Sequence, residues 1–114
     1  MKKPRISIII PSYNQGKYIE ETLRSILDQR IDGLQLIVMD GGSTDQTLDI
    51  LKKYASKIDV LVSERDGGQT DAINKGLLQA RADIVGWLNS DDVYLRGALA
   101  KVLRVFDEHP GIGV

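Results

Sequence analysis

Cysteine is absent from the 114 residues of this chain, and histidine occurs once. The absence of cysteine excludes a disulfide scaffold, a thiolate zinc site and a cysteine nucleophile. It is compatible with the reducing conditions of the cytoplasm, where we expect this protein to act. Any metal site would have to be built mainly from oxygen ligands, because thiolates are missing and the one imidazole stands near the end of the chain, at His109.

Strong net charge and long apolar runs are also missing. The formal net charge is −1, so the sequence has no basic surface typical of nucleic-acid binding. The apolar run of residues 6–10, interrupted by Ser7, is too short for a signal peptide or a transmembrane segment. The hydrophobic fraction of 42% is ordinary for a globular protein. We therefore expect one domain, residues 1–114, with no nucleic-acid partner and no transmembrane segment.

The pattern of apolar residues predicts strands and helices in strict alternation. Four short apolar runs, in which apolar and polar residues do not alternate, predict buried strands at residues 5–10, 34–40, 59–63 and 83–89. Helical spacing of apolar residues follows each of them, at 17–29, within 41–57, within 64–81 and at 95–109. Ser43 and Gln46 have the spacing of a capping box for the second helix. The order βαβαβαβα predicts an α/β fold, a parallel sheet with helices on both faces.

Polar side chains follow every predicted strand at the point where that strand ends. In an open parallel sheet, ligands bind beyond the carboxyl ends of the strands, so these segments are the candidate site. The opposite ends of the strands carry no comparable set of polar residues. The four segments are Ser12-Tyr13-Asn14, Asp40-Gly41-Gly42-Ser43, Glu64-Arg65-Asp66-Gly67-Gly68 with Asp71 beyond, and Asn89-Ser90-Asp91-Asp92.

Several of these polar residues have a purely structural interpretation. We interpret Asp45 as a helix-capping residue without a catalytic or binding role. Asp71 stands early in its helix, so it could be a capping residue as well. For Asp92, a cap of the last helix and a metal ligand stay open as alternatives. Gly67 and Gly68 are expected to form a turn. We expect Trp87 to lie in the core and His109 at a solvated helix end.

Together, the acidic segments indicate a cation. Carboxylates that meet at one sheet edge require a cation or hydrogen-bond donors to offset their repulsion. Hard oxygen ligands suit Mg²⁺ or Mn²⁺ better than Zn²⁺. Such ions commonly bind through one or two carboxylates and the phosphates of a substrate, which predicts a nucleoside diphosphate ligand.

Other nucleotide and hydrolase motifs are missing. The sequence has no G-x-x-x-x-G-K-[ST] phosphate loop, no G-x-G-x-x-G dinucleotide fingerprint and no G-x-S-x-G nucleophile elbow. The first strand is followed by Ser-Tyr-Asn, without the paired acids of a response-regulator receiver. A glycine-rich loop of the nucleotidyltransferase type is missing there as well.

Three segments resemble family 2 glycosyltransferases with the GT-A fold, a Rossmann-like nucleotide-diphospho-sugar transferase fold. They are "ISIIIPSYNQGKYIEETLRSILDQ", "LIVMDGGSTDQT" and "DGGQTDAINKGLLQARADIVGWLNSDD". The resemblance covers nearly the whole chain and corresponds to the N-terminal, donor-binding half of the family's catalytic domain. It implies transfer of a sugar from a nucleotide-diphosphate donor, UDP-sugar being the expected one, to a hydroxyl acceptor. The resemblance further implies inversion at the sugar carbon and dependence on Mn²⁺ or Mg²⁺.

The resemblance also implies roles for individual residues. A base and ribose pocket would be lined by Pro11, Tyr13 and Asn14. Asp40 would accept a hydrogen bond from the nucleobase edge. The expected neighbours of base, ribose and diphosphate are Asp66 and Asp71.

The segment Asn89-Ser90-Asp91-Asp92 corresponds to the family's metal-binding D-x-D motif. Asp91, with Asp92 beside it, would be the metal ligand. Asn89 stands where the family often has aspartate, and its amide oxygen can still accept a hydrogen bond from the donor.

No residue of this chain is assigned as the catalytic base, which the family carries in its acceptor-binding half. The acceptor, a carbohydrate or lipid-linked hydroxyl, is expected to be bound by that half. A sheet that lacks it should leave an open edge and apolar surface, so we expect self-association. We expect a cytoplasmic location, with the inner face of the membrane as an alternative. A non-catalytic module that has kept only the fold, and a nucleotidyltransferase, are the competing interpretations.

Overall fold

The strands and helices alternate along the chain, as predicted. A computed structural model describes residues 3–108. Its elements are β1 (Ile6–Ser12), α1 (Ile19–Leu27), β2 (Leu34–Asp40), α2 (Thr47–Lys53), a 3₁₀ turn (Ala55–Lys57), β3 (Val60–Ser63), α3 (Gln69–Gln79), β4 (Ile84–Trp87) and α4 (Ala98–Glu108).

The four strands form one parallel sheet in the order β3-β2-β1-β4. β1 is paired along its whole length with β2, from Ile6 opposite Leu34 to Ser12 opposite Asp40. The chain moves outward from β1 to β2 and β3, then returns across the sheet to place β4 on the other side of β1. The order of connections therefore reverses between β1 and β4, the point where open α/β sheets form a ligand crevice.

Helices cover both faces of the sheet, in unequal number. On one face, side chains of β1 and β2 form a core with α1, α2 and α4; on the other face, α3 packs against the same two strands. The buried members of the first core include Ile8, Ile10, Leu36, Val38, Leu23, Leu51 and Leu99, and those of the second are Ile9, Ile37, Met39 and Ala72.

A glycine allows α3 to lie close to the sheet. A Cβ atom on Gly76 would stand 2.5 Å from Cγ2 of Ile9, well inside van der Waals contact. The helix and the strand can therefore approach to this separation only because position 76 has no side chain. This close approach positions α3 against β1, and α3 begins directly after the loop that follows β3.

A buried polar network connects β1 and β2 to the segment before β4. The side chain of Gln35 accepts a hydrogen bond from Ser7 Oγ (2.6 Å) and another from the N–H of Arg81 (2.9 Å). Its amide nitrogen donates to the carbonyl of Gln79 (3.0 Å). These bonds satisfy a side chain that is 2% exposed, and they hold the end of α3 in place.

Three expectations for individual residues are wrong or lie outside the described chain. Trp87 is 52% exposed and not in the core, because it stands at the end of β4, the last strand on its side of the described sheet, and α3 packs mainly against β1 and β2. Asp92 does not cap the last helix, since α4 begins at Ala98. His109 lies outside the described residues.

The predicted capping box of the second helix is also wrong. Ser43 Oγ donates a hydrogen bond to the carboxylate of Asp40 (2.6 Å), and α2 begins only at Thr47. The first turn of α2 is stabilised by Asp45, which accepts a hydrogen bond from the N–H of Thr47 (2.9 Å). The interpretation of Asp45 as a capping residue agrees with this contact.

Within residues 3–108, no helix has the length and apolarity needed to cross a membrane.

Candidate functional site

A cleft of about 510 Å³ lies at the carboxyl edge of the sheet. Segments from all four strand ends contribute to it, as the sequence analysis predicts for a ligand site. Its lining residues are Pro11 and Ser12 at the end of β1, with Tyr13 and Gln15 after it; Gly41 after β2; Arg65, Asp66, Gly68, Gln69 and Ala72 after β3; and Asn89, Ser90 and Asp91 after β4.

The predicted site residues divide into two groups. Those that line the cleft are Pro11, Tyr13, Asp66, Asn89 and Asp91. The remaining predicted residues do not line it and form hydrogen bonds within the loops that surround it: Asn14, Asp40, Asp71 and Asp92.

Asp40 is the most deeply buried carboxylate of the site, at 2% exposure. Its Oδ2 accepts hydrogen bonds from the N–H groups of Gly42 (3.1 Å) and Ser43 (2.8 Å) and from Ser63 Oγ (2.9 Å). Its Oδ1 accepts a fourth bond from Ser43 Oγ (2.6 Å). These four bonds, three of them to Oδ2, fix Asp40 within the loop after β2.

Asn14 joins the loop after β1 to the loop after β2. Its Oδ1 accepts hydrogen bonds from the N–H groups of Thr44 (2.7 Å) and Asp45 (3.3 Å), and its own N–H donates to Ser43 Oγ (2.8 Å). Asn14 adopts a left-handed backbone conformation (φ 50°), which asparagine tolerates better than most residues. The side chain thus holds two walls of the cleft together.

The turn between β3 and α3 is held by two aspartates. Asp66 Oδ1 accepts a hydrogen bond from the N–H of Gly68 (2.9 Å), and Asp71 accepts one from the N–H of Gly67 (2.8 Å). The bond from Gly67 lowers the pKa of Asp71, and the neighbouring Lys75 lowers it further. The glycines form the predicted turn, with a positive φ at Gly68 (109°) that favours glycine.

The loop after β4 is anchored to α1. The hydroxyl of Thr22, fully buried, lies 3.0 Å from the carbonyl oxygen of Ser90 and 2.6 Å from that of Asp92. The amide of Asn89 donates to the carboxylate of Asp92 (3.4 Å). The side chain of Asp91 is exposed at the cleft and forms no hydrogen bond or ion pair with residues 3–108. Its carboxylate is therefore available to a ligand.

These residues suit a hard divalent cation that is completed by its substrate. Within residues 3–108, no group of three or more acidic, histidine or cysteine side chains could hold a metal on its own. Mg²⁺ and Mn²⁺ do not need such a group when phosphate oxygens supply the other ligands. The free carboxylate of Asp91, with Asp92 next to it, fits this kind of site.

Four residues to which the sequence assigns no individual role also line the cleft, namely Ser12, Gln15, Arg65 and Gln69. Ser12 is 5% exposed, and its hydroxyl is a buried side-chain atom without a hydrogen-bond partner in the described part of the chain. Buried hydroxyls rarely remain unpaired, so Ser12 marks a place where a ligand could complete the bonding. The signal in the sequence was its position directly after Pro11 at the end of β1.

Comparison with known proteins identifies the family. Residues 7–114 match the family described as glycosyl transferase family 2. Bacillus subtilis TuaG is 40% identical over 109 residues, which are 93% of this chain and 43% of TuaG. The poly(ribitol-phosphate) beta-N-acetylglucosaminyltransferase TarS of Staphylococcus aureus is 36% identical over 110 residues, 92% of this chain and 19% of TarS. The chain spans less than half the length of these relatives.

Solved structures show the same fold. The crystal structure of S. aureus TarS 1–349 in complex with UDP-GlcNAc has a TM-score of 0.84 at 32% identity, covering 96% of this chain and 36% of that chain. The mannosyltransferase PcManGT from Pyrobaculum calidifontis, in complex with GDP-Man and Mn²⁺, has a TM-score of 0.81 at 30% identity, covering 93% and 33% respectively. The parallel sheet, its polar carboxyl edge and these relatives agree: the chain has the GT-A fold and belongs to glycosyltransferase family 2.

Proposed function

We propose that this chain binds the sugar donor of a metal-dependent glycosyltransferase, and that the donor is a UDP-sugar. The observation that carries the proposal is the cleft at the switch point of the sheet, which all four strand ends line and at which the carboxylate of Asp91 stands free. The relatives support it, because TarS was solved with UDP-GlcNAc and PcManGT with GDP-Man and Mn²⁺.

The electrostatics of the cleft support binding of a diphosphate in the presence of a cation. Asp66 and Asp91 give the wall negative charge, and Arg65 is the cationic side chain among the lining residues. A diphosphate would be repelled by Asp91 unless a cation lay between them. We propose that Asp91, with Asp92, holds Mn²⁺ or Mg²⁺, whose positive charge would stabilise the leaving nucleoside diphosphate.

The remaining lining residues would fix the orientation of the donor. Tyr13 is exposed at the cleft and presents an aromatic ring next to Pro11, which suits stacking against a base or ribose. Asn89 Oδ1 accepts a hydrogen bond from the Gln69 side chain, so these two side chains meet across the cleft between β4 and α3. Their amide groups can exchange this bond for hydrogen bonds to ribose or phosphate.

The reaction we propose is transfer of the sugar to a hydroxyl of a carbohydrate or lipid-linked acceptor, with inversion. Inversion requires a base on the side opposite the leaving diphosphate, and we assign that role to none of residues 3–108. A reaction of this type in polysaccharide biosynthesis would take place in the cytoplasm or at the inner face of the membrane. Cell fractionation of the tagged protein tests this location. Recovery of the protein in the fraction from outside the cytoplasmic membrane would contradict it.

Thermal-shift titration tests donor binding. The chain is heated with UDP, GDP, dTDP or ADP, each with and without Mn²⁺, next to Asp91→Ala and the control Asp83→Ala. Asp83 is exposed at the opposite end of β4. A ligand at about 100 times its Kd adds about 2.7 kcal/mol, which raises the Tm of a domain of this size by about 10 °C.

We expect stabilisation by UDP that requires Mn²⁺ and is lost in Asp91→Ala but kept in Asp83→Ala. A folded chain whose Tm responds to no nucleotide would refute donor binding and favour the competing interpretation, a module that has kept only the fold. Pyrophosphate exchange on a nucleoside triphosphate would instead indicate a nucleotidyltransferase.

We also propose that the isolated chain associates with itself through β4. Trp87 is 52% exposed on this strand, which is an edge of the described sheet and offers unpaired backbone groups. Sedimentation velocity at increasing concentration should show association that Trp87→Ser weakens. A wild-type chain that stays monomeric at high concentration rules this proposal out.

A further inference from the structure

The carboxylate that could read a nucleobase is not the one that the sequence indicates. Asp40 was expected to accept a hydrogen bond from the base, yet it does not line the cleft and already accepts four hydrogen bonds from the protein. With 2% of its surface exposed, Asp40 is not accessible to a base bound in the cleft. The geometry therefore makes Asp40 a positioning residue for the loop after β2.

Asp66 occupies the space beside the end of β2. A Cβ atom on Gly41 would lie 3.0 Å from Oδ1 and 3.1 Å from Oδ2 of Asp66, closer than all but a small fraction of such contacts in proteins. Gly41 and Asp66 both line the cleft. The absence of a side chain at Gly41 thus leaves room for the carboxylate of Asp66 over the backbone of the β2 exit.

One oxygen of this carboxylate is available for a ligand. Oδ1 of Asp66 accepts the bond from Gly68, while Oδ2 accepts no hydrogen bond from the described residues. The bond from Gly68 fixes the orientation of the side chain without filling its acceptor capacity. Asp66 therefore has both a defined position and a free acceptor oxygen at the cleft, whereas Asp40 does not line the cleft.

The order of the strands places Asp66 and Asp91 at opposite ends of the cleft. Asp66 follows β3 and Asp91 follows β4, and these strands are the two edges of the described sheet. Because the carboxylate of Asp66 reaches over the exit of β2, two strand spacings separate it from β4, about 10 Å. An extended nucleoside diphosphate spans such a distance with its phosphates at Asp91 and its base at Asp66.

We infer that, in the donor site proposed above, the carboxylate of Asp66 accepts a hydrogen bond from the nucleobase, and that Gly41 makes this position possible. A carboxylate selects bases whose pairing edge carries a ring N–H, which are uracil, thymine and guanine. Cytosine presents a lone pair at the corresponding nitrogen, and this lone pair would face the negative charge. The site should therefore prefer uridine, thymidine or guanosine diphosphate sugars to the cytidine compounds.

Calorimetric titration with UDP and CDP in the presence of Mn²⁺ tests this inference. The variants are Asp66→Asn and the control Glu64→Gln, an exposed carboxylate of the same loop that does not line the cleft. Asp66→Asn should lower the affinity for UDP by about 10- to 100-fold, the effect of one hydrogen bond to a charged group. It should also collapse the preference for UDP over CDP, because an amide can both donate and accept. Glu64→Gln should change neither quantity.

A second pair of variants tests the shared space at Gly41. Asp40→Asn should lower the Tm but leave the ratio of UDP to CDP affinity unchanged when measured on the folded protein. The double variant Gly41→Asp/Asp66→Ser should recover a preference for UDP. The new carboxylate then extends from position 41 into the space that the Asp66 carboxylate occupies in the wild type.

The outcomes separate this inference from the proposed function. If UDP binds with Mn²⁺ but Asp66→Asn keeps the full preference, or Asp40→Asn alone removes it, Asp66 does not read the base although the donor site stands. A double variant that binds UDP and CDP equally contradicts the shared position. If no nucleotide binds the folded wild type, the donor site itself is wrong, and the inference is refuted with it.

Discussion

The four hydrogen bonds of Asp40 predict a large loss of stability in Asp40→Ala. The substitution removes the acceptor for two backbone N–H groups and two serine hydroxyls at a position that is 2% exposed. One such bond contributes about 1 kcal/mol net, so the expected loss is about 4 kcal/mol. An unfolding entropy of about 2.1 cal/mol/K per residue converts this into a fall in Tm of about 15 °C.

The more conservative Asp40→Asn should lose much less. Its amide oxygen can take the place of Oδ2 and keep the bonds from Gly42, Ser43 and Ser63, while its nitrogen donates to the hydroxyl of Ser43, which can rotate to accept. The loss then reflects the missing charge, and we expect about 1–2 kcal/mol.

Urea unfolding followed by circular dichroism measures both losses. Asp32→Ala is the matched control, because Asp32 is exposed and its side chain makes no hydrogen bond or ion pair among the described residues, so its effect should stay within about 0.5 kcal/mol. An Asp40→Ala variant that loses less than about 1 kcal/mol, or that loses no more than Asp40→Asn, would refute the assignment of Asp40 to the scaffold.

Three further predictions concern the sheet and the cleft. Gly76→Ala should destabilise the chain by about 1–3 kcal/mol in urea unfolding, because the new Cβ would clash with Ile9. The control Asn74→Ala, at an exposed position of the same helix, should be neutral or stabilising. Equal effects of the two substitutions would contradict the close packing of α3 on β1. Ser12→Ala should leave the unliganded Tm unchanged or higher, since the hydroxyl has no partner, and a fall of several degrees would show a missed contact. Asp71, whose pKa is lowered by its hydrogen bond from the backbone, stabilises the folded state above about pH 4 and stops doing so as the pH falls through its folded pKa. The difference in Tm between wild type and Asp71→Asn should therefore narrow on acidification, and a difference that widens would contradict the assignment.

The sheet could be predicted from the sequence because its determinants are local. The apolar runs around Ile8 and Leu36 are β-branched or aliphatic without alternation, and a helical pattern follows each of them, so both faces had to be covered. The exposure of Trp87 could not be predicted in this way. This exposure depends on two properties of the whole sheet: β4 lies beyond β1 in the strand order, and α3 packs mainly against β1 and β2.

The failed capping box at Ser43 has a related cause. Ser43 and Gln46 have the correct spacing, but Asp40 stands three residues before Ser43 and its carboxylate takes the hydroxyl as a donor. The oxygen of the same hydroxyl accepts a hydrogen bond from the N–H of Asn14 (2.8 Å), 29 residues away. This long-range donor competes with the helix N–H for Ser43 Oγ, and spacing within the sequence does not reveal it. Asp45, which the sequence analysis excluded from any chemistry, then stabilises the start of α2.

The same competition decides which aspartates of the cleft can act on a ligand. The sequence places Asp40, Asp66, Asp71 and Asp91 at one edge of the sheet but says nothing of how many hydrogen bonds each accepts from the protein. Asp40 is buried with four hydrogen bonds from the protein, and Asp71 is turned toward the backbone of Gly67. Among residues 3–108, Asp66 keeps one oxygen without a hydrogen bond and Asp91 keeps both. Carboxylates that the fold leaves unsatisfied retain their charge for a ligand, and here they stand at the two ends of the cleft. A nucleotide that binds through its base at one end and through a cation at the other should therefore lose both affinity and base preference when Asp66 is neutralised. Neutralising Asp91 should remove the dependence on Mn²⁺ together with the affinity.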